Sequence, residues 1–465
     1  MNAIDVTGSC TYIVFNNKKI LLECGLHQSS TNSYLDSYKI NSEKFRFDPK
    51  EIDYVFICHS HVDHTGLLPR LYKEGCKAKI ILNHETALIT EALLRNCAFI
   101  LNDEARILSK RYKREYVPIY TEDDVERVID FFYEYNNYNL IYDLDNTVSF
   151  QWVKNSHCPG AAQLVLTLKS EMKTRKILYT SDIGSLNTKN HYVQNTEIYD
   201  GFVDMVIMES TYGDNKRNLK KTREFDVEHL RVAINTVIER KGTIIMPAFS
   251  FARTQELLTT LYDIFHNDKN FTTEIIIDSK LSCEISDLYY QIMDGDDLKL
   301  WNRVSSWENV KFVTDKDESL AHVKDKTPKI VISSSGFCTS GRVISYLQEY
   351  LEDFNSMIIF SGFVGDNPSY LSYRIKNYDN HKTLTINKIP IPNRADCITM
   401  STFSSHANHD DLLTYGSNLN TNCLVLVHGS TESKETLVRE LKDKIYENNK
   451  TYNVRASDRD MSIFI

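Results

Sequence analysis

The feature that most constrains this sequence is the cluster His59-Ser-His-Val-Asp-His64, which directly follows the apolar run Tyr54-Val-Phe-Ile-Cys58. Three imidazoles and one carboxylate in six residues match the ligands that zinc prefers in catalytic sites. The apolar run predicts a buried strand, and Thr65–Tyr72 has the pattern of a helix, so the cluster is expected on a strand-to-helix loop. Because only 14 of the 465 residues are histidines, this density favours a metal site over a solvated polar loop.

Three further polar residues stand where an apolar strand is predicted to stop: His157, Asp182 and His428. His157 precedes a Cys-Pro-Gly turn, whereas Asp182 and His428 follow the apolar runs 176–180 and 424–427. Each residue alone is more often a turn or capping residue. Together with the cluster, they supply enough ligands for two metal ions that each keep a position open for water or substrate.

The chain is longer than the roughly 250 to 300 residues over which a single core usually extends, so two domains are expected. The first part begins with a predicted hairpin of strands 11–15 and 19–23, continues with helices 84–114 and 121–135, and then has a strand pair at 148–153 and 163–168.

From about residue 211 the pattern changes to repeated strand, loop and helix units. Strands 243–246, 274–278 and 329–333 each lead through a loop into a helix, as in a mostly parallel sheet. Mixed and hairpin-like segments return after about residue 390. We therefore expect one domain inserted into another, with ranges 1–210 and 391–465 for the outer domain and 211–390 for the insert.

Composition excludes several classes of protein. Hydrophobic residues make up 42% and charged residues 25%, as in soluble globular proteins rather than disordered chains or coiled coils. The net charge of −9 argues weakly against nucleic acid, although it does not exclude a local basic groove. No secretory signal or membrane span is recognisable, and the ten cysteines form no Cys-x-x-Cys pair, so a cytoplasmic protein with reduced thiols is expected.

The order His-x-His-x-Asp-His, His157, Asp182, His428 resembles the metallo-β-lactamase superfamily. The intervening motifs are similar to those of its β-CASP branch, which includes ribonuclease J, stand-alone bacterial and archaeal RNases, and the endonuclease subunit of the cleavage and polyadenylation factor. These motifs are Met208–Gly213, Pro247–Leu257, Ser335–Arg342, Ser401–Ala407 and Val427–Gly429. The resemblance covers nearly the whole chain and implies an α/β fold, a metallo-β-lactamase αββα sandwich with an inserted parallel-sheet β-CASP domain.

The resemblance also implies two Zn²⁺ ions and their ligands. One ion would be held by His59, His61 and His157 and the other by Asp63, His64 and His428, with Asp182 bridging both. Glu209, His406 and His428 would be the three β-CASP motif residues. A histidine at the last position is typical of RNA-acting members, whereas DNA-processing relatives carry an apolar residue there.

The implied activity is hydrolysis of RNA phosphodiester bonds by a hydroxide that two metal ions activate. Asp63 and Asp182 are predicted catalytic residues as well as ligands, and His406, paired with Glu209, is the candidate general acid.

Substrate phosphates are expected on the loop after strand 329–333 and on neighbouring basic side chains, because backbone amides at a helix start attract anions. The predicted contacts are Ser335, Gly336, Ser340, Gly341, Arg342 and Arg253, with basic residues near 216–224 as additions to an RNA groove.

Four departures from the family pattern concern substrate handling more than metal binding. Glu23 replaces an aspartate that braces the histidine loop, and Ser430 replaces a glutamate that often follows His-Gly. Residues 212–217 lack a histidine that often occurs there, and Gly362–Tyr370 replaces a Gly-Tyr-Gln-Ala-x-Gly-like segment.

Two alternatives from other functional classes stay open: a hydrolase of DNA or of a small ester or lactam, and a paralogue that binds without cleaving. Endonuclease or 5′-exonuclease action, and a homodimer as the assembly, also remain open.

Overall fold

The computed structural model describes residues 7–28, 33–215, 222–362, 364–365, 367–458 and 462–463. Within these ranges the strands, labelled in chain order, are β1 (Thr11–Phe15), β2 (Lys18–Leu22), β3 (Tyr54–Phe56), β4 (Lys79–Leu82), β5 (Phe132–Glu134), β6 (Ile141–Asp143), β7 (Val148–Lys154), β8 (Ala162–Lys169), β9 (Thr174–Tyr179), β10 (Phe202–Glu209), β11 (Ile244–Pro247), β12 (Glu274–Asp278), β13 (Val310–Val313), β14 (Lys329–Ser333), β15 (Met357–Phe360), β16 (Thr383–Ile386), β17 (Ile389–Pro392), β18 (Asp396–Thr399), β19 (Asn420–Val427) and β20 (Asn453–Ala456).

The α-helices in the same ranges are α1 (Tyr34–Asn41), α2 (Val62–Thr65), α3 (Leu68–Lys73), α4 (His84–Tyr112), α5 (Glu122–Ile129), α6 (Arg223–Glu239), α7 (Arg253–Phe265), α8 (Lys280–Ile292), α9 (Gly295–Ser305), α10 (Lys316–Lys324), α11 (Val343–Tyr350), α12 (Leu371–Lys376), α13 (His409–Asn418) and α14 (Thr431–Glu447). No helix in the described part of the chain is both long enough and apolar enough to cross a membrane.

Two sheets form the outer domain. The first has the order β1-β2-β3-β4-β5 and the second the order β20-β19-β10-β9-β8-β7-β6. Their inner faces share one apolar core, in which Phe56 of β3 meets Phe150 and Trp152 of β7 edge to face. Helices α3, α4 and α5 cover the outer face of the first sheet, and α13 and α14 cover that of the second. The layers confirm the predicted αββα sandwich.

A third sheet has six strands, all parallel, in the order β13-β12-β14-β11-β15-β18. Its central strands are apolar on both faces because helices cover both. Ile244 and Met246 of β11 pack towards α6, α7, α8 and α9, whereas Ile245 packs towards α11 and α12. This alternation is the two-residue period of a strand, and the sheet is the parallel one predicted.

The third sheet is an insertion between two neighbouring strands of the second. β10 and β19 run parallel and adjacent, with Glu209 opposite Val427, and the strands β11 to β18 all come from the chain between them. The inserted position confirms the predicted architecture. The last strand of the inserted sheet, β18, begins after residue 390. The domain ranges 1–210, 211–390 and 391–465 remain a prediction.

Most predicted elements agree with the structure to within a few residues, but two helices were predicted wrongly. The helix expected over 65–72 is divided into α2 and α3, because Gly66 ends α2 and Pro69 lies in the first turn of α3. Asp63 and His64 therefore lie on a helical turn and not in an open loop. The helix expected over 121–135 ends at Ile129, and Phe132–Glu134 instead form the strand β5, because they pair with β4, about fifty positions earlier in the chain.

Candidate metal centre

The predicted ligands converge where strands of the two sandwich sheets end. The cluster 59–64 follows β3 of the first sheet, whereas His157, Asp182 and His428 follow β7, β9 and β19 of the second. Their ligand-capable atoms form two groups, each with all members within 4.8 Å of one another. The candidate centre therefore lies between the two sheets and uses side chains from both.

The first group contains His59, His61, His157 and Asp182. His157 Nε2 is 3.1 Å from His61 Nδ1, and the Nε2 atoms of His59 and His157 are 3.8 and 3.7 Å from Asp182 Oδ2. Burial lowers the pKa of His59 and His157 well below the usual range and that of His61 to about 4. The imidazoles are therefore neutral at physiological pH, which is the form that binds metal.

The second group contains Asp63, His64, His428 and the same Asp182. His64 Nε2 is 3.3 Å and His428 Nδ1 3.1 Å from Asp182 Oδ1, and His428 Nε2 is 3.5 Å from Asp63 Oδ2. Thr211 Oγ1 lies 3.1 Å from His428 Nδ1 and orients that ring.

Asp182 lies between the two groups. Its Oδ2 atom faces His59 and His157, and its Oδ1 atom faces His64 and His428. Burial raises the pKa of Asp182, but the neighbouring His428 and His64 outweigh burial and hold it well below its usual range. The carboxylate is thus an anion with one oxygen directed at each group, which is the geometry of a bridging ligand.

Unsatisfied buried atoms test whether a metal fits this arrangement. The Nε2 atoms of His59, His64 and His428, and Oδ1 of Asp182, have no hydrogen-bond partner among the described residues. Leaving a buried polar atom without a partner costs roughly 1–3 kcal/mol. Nitrogen and carboxylate oxygen donors that converge in this way suit a metal ion such as zinc. The residues therefore fit a metal centre.

Glu23 braces the histidine loop from below. Its Oε1 atom accepts hydrogen bonds from the backbone N–H of Cys58 and from Ser181 Oγ, each 3.1 Å long, and lies 3.6 Å from His64 Nδ1. Ser181 Oγ is in turn 3.0 Å from His59 Nδ1. Glu23 thus occupies the bracing position implied by the family resemblance, and the longer acid fits it.

Tight backbone geometry at the strand ends brings these groups together. Glu23, Ser181 and His428 adopt φ values of 60°, 52° and 48°, in the left-handed region that non-glycine residues seldom enter. Gly25 lies so close to the histidine cluster that a Cβ atom there would be 1.6 Å from the carbonyl oxygen of Asp63. Strain of this kind concentrates at functional sites.

Asn155 also positions two ligands, and it was not predicted to do so. Its Nδ2 donates to the backbone carbonyl of Asp182 over 2.6 Å, and its Oδ1 accepts from the N–H groups of His157 and Gly184 over 3.1 and 3.0 Å. Ser181 was missed as well. Both residues lie within two positions of a predicted ligand, and that proximity was the only signal available.

His406 lies beside the two donor groups. Its Nδ1 is 3.2 Å from Glu209 Oε1, and its Nε2 is 3.9 Å from Asp182 Oδ2. Burial lowers the pKa of His406, but Glu209, with a contribution from Asp182, outweighs burial and raises it to about 9. Glu209 is itself held by the N–H groups of Ile183 and Thr211 at 2.6 and 3.0 Å. This geometry gives a charged, oriented imidazole, as a general acid requires.

The predicted phosphate loop follows β14 at the carboxyl edge of the inserted sheet. Ser335 Oγ accepts from the backbone N–H groups of Thr339 and Ser340 over 3.0 and 3.4 Å, so these amides are used inside the loop. Gly341 has a φ of 82°, which favours glycine, and Gly336 is buried against Phe249. The structure therefore places Ser335, Gly336, Ser340 and Gly341 together.

Arg342 is paired within the inserted domain, and its predicted phosphate contact remains a prediction. Its Nη1 donates to Asp278 Oδ1 and to the carbonyl of Val313 over 2.7 and 3.0 Å, and its Nη2 donates to the carbonyl of Thr314 over 2.6 Å. The guanidinium is therefore used to join strand ends within the inserted domain.

Arg253 reaches the centre. Its Nη2 donates to Ser405 Oγ over 3.3 Å, next to His406, whereas its buried Nη1 has no hydrogen-bond partner in the ranges described. Burial lowers the pKa of Arg253 to about 10, so the side chain remains a cation at neutral pH. Together with His157, it lines a small pocket beside the first donor group.

The other departures from the family pattern have local roles where the structure describes them. Ser430 caps α14 by accepting a hydrogen bond of 3.0 Å from the N–H of Ser433. Tyr370, at the end of the divergent segment, stacks on Phe337 with ring centroids 5.2 Å apart. Of the basic residues predicted near 216–224, those at 216–221 lie outside the described residues, as do positions 363 and 366 of that segment.

Three family models match successive parts of the chain. The model of the metallo-beta-lactamase superfamily matches residues 3–132, that of the Beta-Casp domain matches 254–368, and that of the Zn-dependent metallo-hydrolase RNA specificity domain matches 390–454. The candidate ligands 59–64 fall in the first match, and His406 and His428 fall in the third.

Similar proteins align along most of the chain. A ribonuclease of Thermus thermophilus is 25% identical over 438 residues, which cover 92% of each chain. An RNase J-like protein of Methanocaldococcus jannaschii is 27% identical over 408 residues, covering 88% of this chain and 86% of that protein. The cleavage and polyadenylation specificity factor 73 of Drosophila melanogaster is 25% identical over 464 residues, covering 97% of this chain and 63% of the factor.

Proposed function

The chain belongs to the β-CASP branch of the metallo-β-lactamase superfamily, and from this membership we propose that it is a ribonuclease that hydrolyses RNA with two zinc ions. The observation that carries the proposal is Asp182, whose two oxygens face two separate donor groups. A single metal would use only one of these groups.

In the proposed centre His59, His61 and His157 would hold one ion, Asp63, His64 and His428 would hold the other, and Asp182 would be a ligand shared by both. When bound, two such ions lower the pKa of a water molecule and neutralise charge on a phosphodiester. Glu23, Ser181 and Asn155 keep the ligands in place through their hydrogen bonds to the ligand residues and to the loops that carry them.

His406 supplies the proton that the departing ribose oxygen needs. Glu209 keeps the imidazole charged through the 3.2 Å contact to Nδ1, so that Nε2, which faces Asp182, carries the transferable proton. Arg253, with an unpartnered buried Nη1 nearby, is a candidate contact for the substrate phosphate. These roles make His406 a catalytic residue and Glu209 the residue that positions it.

RNA is the proposed substrate because the similar proteins named above include a ribonuclease and an RNase J-like protein, and because residues 390–454 match an RNA specificity domain. His428 supports the same choice, since RNA-acting members carry histidine at this motif position. Homodimer formation, a cytoplasmic location and the domain ranges 1–210, 211–390 and 391–465 remain predictions from the sequence. Light scattering of the purified chain tests the first of these.

A time course with matched nucleic acids tests the function. Wild-type chain and the variant Asp182→Ala are given RNA labelled at the 5′ end or internally, the same sequence as DNA, and a chromogenic ester. We expect Asp182-dependent cleavage of RNA, with mononucleotide release indicating 5′-exonuclease action and discrete fragments indicating internal cutting.

Zinc is measured in the same preparations, and we expect about two ions per chain. Cleavage of DNA or of the ester alone would reassign the substrate. Fewer than about two zinc ions together with no cleavage would favour a binding-only protein.

A further inference from the structure

Phe249 is an aromatic side chain that the fold leaves half exposed beside the candidate metal centre. It lies in the loop between β11 and α7, where the residue is 49% exposed, although its neighbours Ala248 and Phe251 are buried. The loop is at the carboxyl edge of the inserted parallel sheet, which is where α/β sheets bind ligands. An apolar ring exposed at such an edge is in a position to contact a ligand.

The loop that carries Phe249 runs from the metal centre to the predicted phosphate loop. On one side, the ring of Phe251 contacts that of His61, with centroids 5.8 Å apart. On the other side, the ring of Phe249 lies against that of Phe337, with centroids 5.2 Å apart at 89°, and covers Gly336. A Cβ atom on Gly336 would be 3.2 Å from the Phe249 ring, so glycine lets the ring approach closely.

The ring is also held in place before any substrate arrives. Phe337, behind it, is stacked on Tyr370 with an interplanar angle of 15°. The Phe249 carbonyl accepts hydrogen bonds from the N–H and the Oγ1 of Thr254, at 3.2 and 2.8 Å. The loop and its aromatic support are therefore fixed, and the exposed face of Phe249 is available at little entropic cost.

We propose that Phe249, supported by Phe337 and Tyr370, is a stacking subsite for a nucleobase of single-stranded RNA next to the bond that is cleaved. Proteins bind unpaired bases by stacking them on aromatic side chains, and such a contact is tolerant of base identity. The chain is acidic overall, with a net charge of −9, which favours contacts to the bases in addition to any local basic attraction of the phosphates. The subsite rests on the proposed ribonuclease function.

Variants at position 249 distinguish a role of the ring in stacking on an RNA base from a role in packing within the fold. Phe249→Leu keeps an apolar side chain but removes the π face, and Phe249→Trp keeps that face. Phe354→Leu is the matched control, because Phe354 is 69% exposed and precedes β15, at the opposite edge of the same sheet. We expect Phe249→Leu to lower kcat/KM on single-stranded RNA about tenfold, mainly through KM, while Phe249→Trp and Phe354→Leu stay near wild type.

Abasic RNA provides the decisive measurement. In a series of RNAs with one abasic nucleotide each, one position next to the cleaved bond should lower wild-type kcat/KM about as much as Phe249→Leu does. On that RNA the variant and the wild type should be equal, because the lost contact is the same.

The outcomes distinguish the two proposals. If wild-type chain shows no Asp182-dependent cleavage of RNA, the proposed function fails and the stacking subsite fails with it. If RNA is cleaved but Phe249→Leu has the same kcat/KM as wild type, only the stacking subsite is overturned. The same holds if kcat/KM of Phe249→Leu is lower than that of wild type by the same factor on every abasic RNA. Zinc content and melting temperature of each variant are measured alongside, and a kinetic loss that Phe249→Trp shares would assign Phe249 to packing.

Discussion

At the scale of single residues, the proposed mechanism separates metal binding from proton donation. His406 contacts Asp182 and Glu209 from outside the two groups that hold His59, His61 and His428. A residue that only donates a proton should be dispensable for metal binding and for any substrate whose leaving group departs without a proton.

We therefore expect His406→Ala to lower kcat on RNA by roughly 100-fold or more while two zinc ions stay bound. On bis(4-nitrophenyl) phosphate, whose nitrophenolate leaves unprotonated, the variant should stay within a few-fold of wild type. Steady-state kinetics on both substrates and zinc analysis check this. An equal loss on both substrates, or a lost metal ion, would make His406 a ligand instead. His409→Ala, in the adjacent buried pair with Glu440, is the control for damage to folding.

At the scale of secondary-structure elements, helix α6 of the inserted domain holds the loop that carries His406. Asp226 accepts hydrogen bonds from the N–H and the Oγ1 of Thr402, at 3.0 and 2.7 Å. The guanidinium of Arg223 lies 3.4 Å from the ring centroid of Phe403 and is paired with Glu256 of α7. Two helices of the insert thus fix residues three and four positions before the candidate acid.

Asp226→Ala should therefore reduce kcat by roughly 10- to 100-fold with KM and zinc content little changed, because misplacing a catalytic group by about 1 Å costs that much. Asp226→Asn keeps an acceptor oxygen and should recover part of the rate. Asp315→Ala removes the exposed N-cap of α10 in the same inserted domain, where the side chain accepts two backbone hydrogen bonds, and should leave kcat unchanged. If Asp226→Ala and Asp315→Ala lost activity to the same extent, general destabilisation would be the cause.

A second contact between elements contains a histidine whose protonation depends on pH. His191 bridges Glu256 and Asp263 of α7, with its ring nitrogens 3.1 and 2.9 Å from their carboxylates. Burial lowers the pKa of His191, but the hydrogen bonds to Asp263 and Glu256 outweigh burial and raise it to about 10. The pKa of an unfolded histidine is about 6.5, so this bridge stabilises the fold fully below about pH 6.5 and loses that effect as the pH rises through about 10.

His191→Gln should consequently lose less stability than wild type between pH 7 and pH 10. Melting temperatures of both proteins across this range provide the measurement. His84→Gln removes a histidine from an exposed pair with Glu134 and serves as the control. Wild-type and His191→Gln curves that run parallel would show that the bridge is not charged in the folded chain.

The elements also show why some features could be predicted and others could not. Strand ends near His157, Asp182 and His428 were visible because each of these polar residues comes within a few positions of the end of a strand-like segment. The helix errors arose where local preference was decided by a single glycine or by pairing with a distant strand, as for Phe132–Glu134. Periodicity alone does not contain that information.

Residue roles that depend on contacts between residues far apart in the chain could not be predicted from the sequence. Arg342 stands beside the glycine and serine loop, which suggested a phosphate contact, yet its partner Asp278 lies 64 positions away. Glu23 and Ser181 meet across 158 positions. Family resemblance could supply the position of Glu23, but nothing in the sequence indicated that Asp226 would hold Thr402.

At the scale of the whole molecule, the candidate metal centre lies where the two sheets of the sandwich meet. The cluster 59–64 extends from the first sheet, and His157, Asp182 and His428 extend from the second. Several buried imidazole nitrogens at this junction have no hydrogen-bond partner among the residues described, and a buried polar atom without a partner is costly unless a ligand such as a metal ion satisfies it. Metal binding should therefore contribute to the stability of the sandwich as well as to catalysis.

Removing zinc with a chelator should lower the melting temperature of the sandwich by about 5 °C or more, and restoring zinc should reverse the change, because an ion that binds only the folded state stabilises it. Asp182→Ala, which lacks the bridging carboxylate, should respond much less. Magnesium should not substitute for zinc, since the donor groups are rich in imidazole. A wild-type melting temperature that ignores the chelator would mean that the sheets pack without help from the centre, and that the unpartnered nitrogens are satisfied in another way.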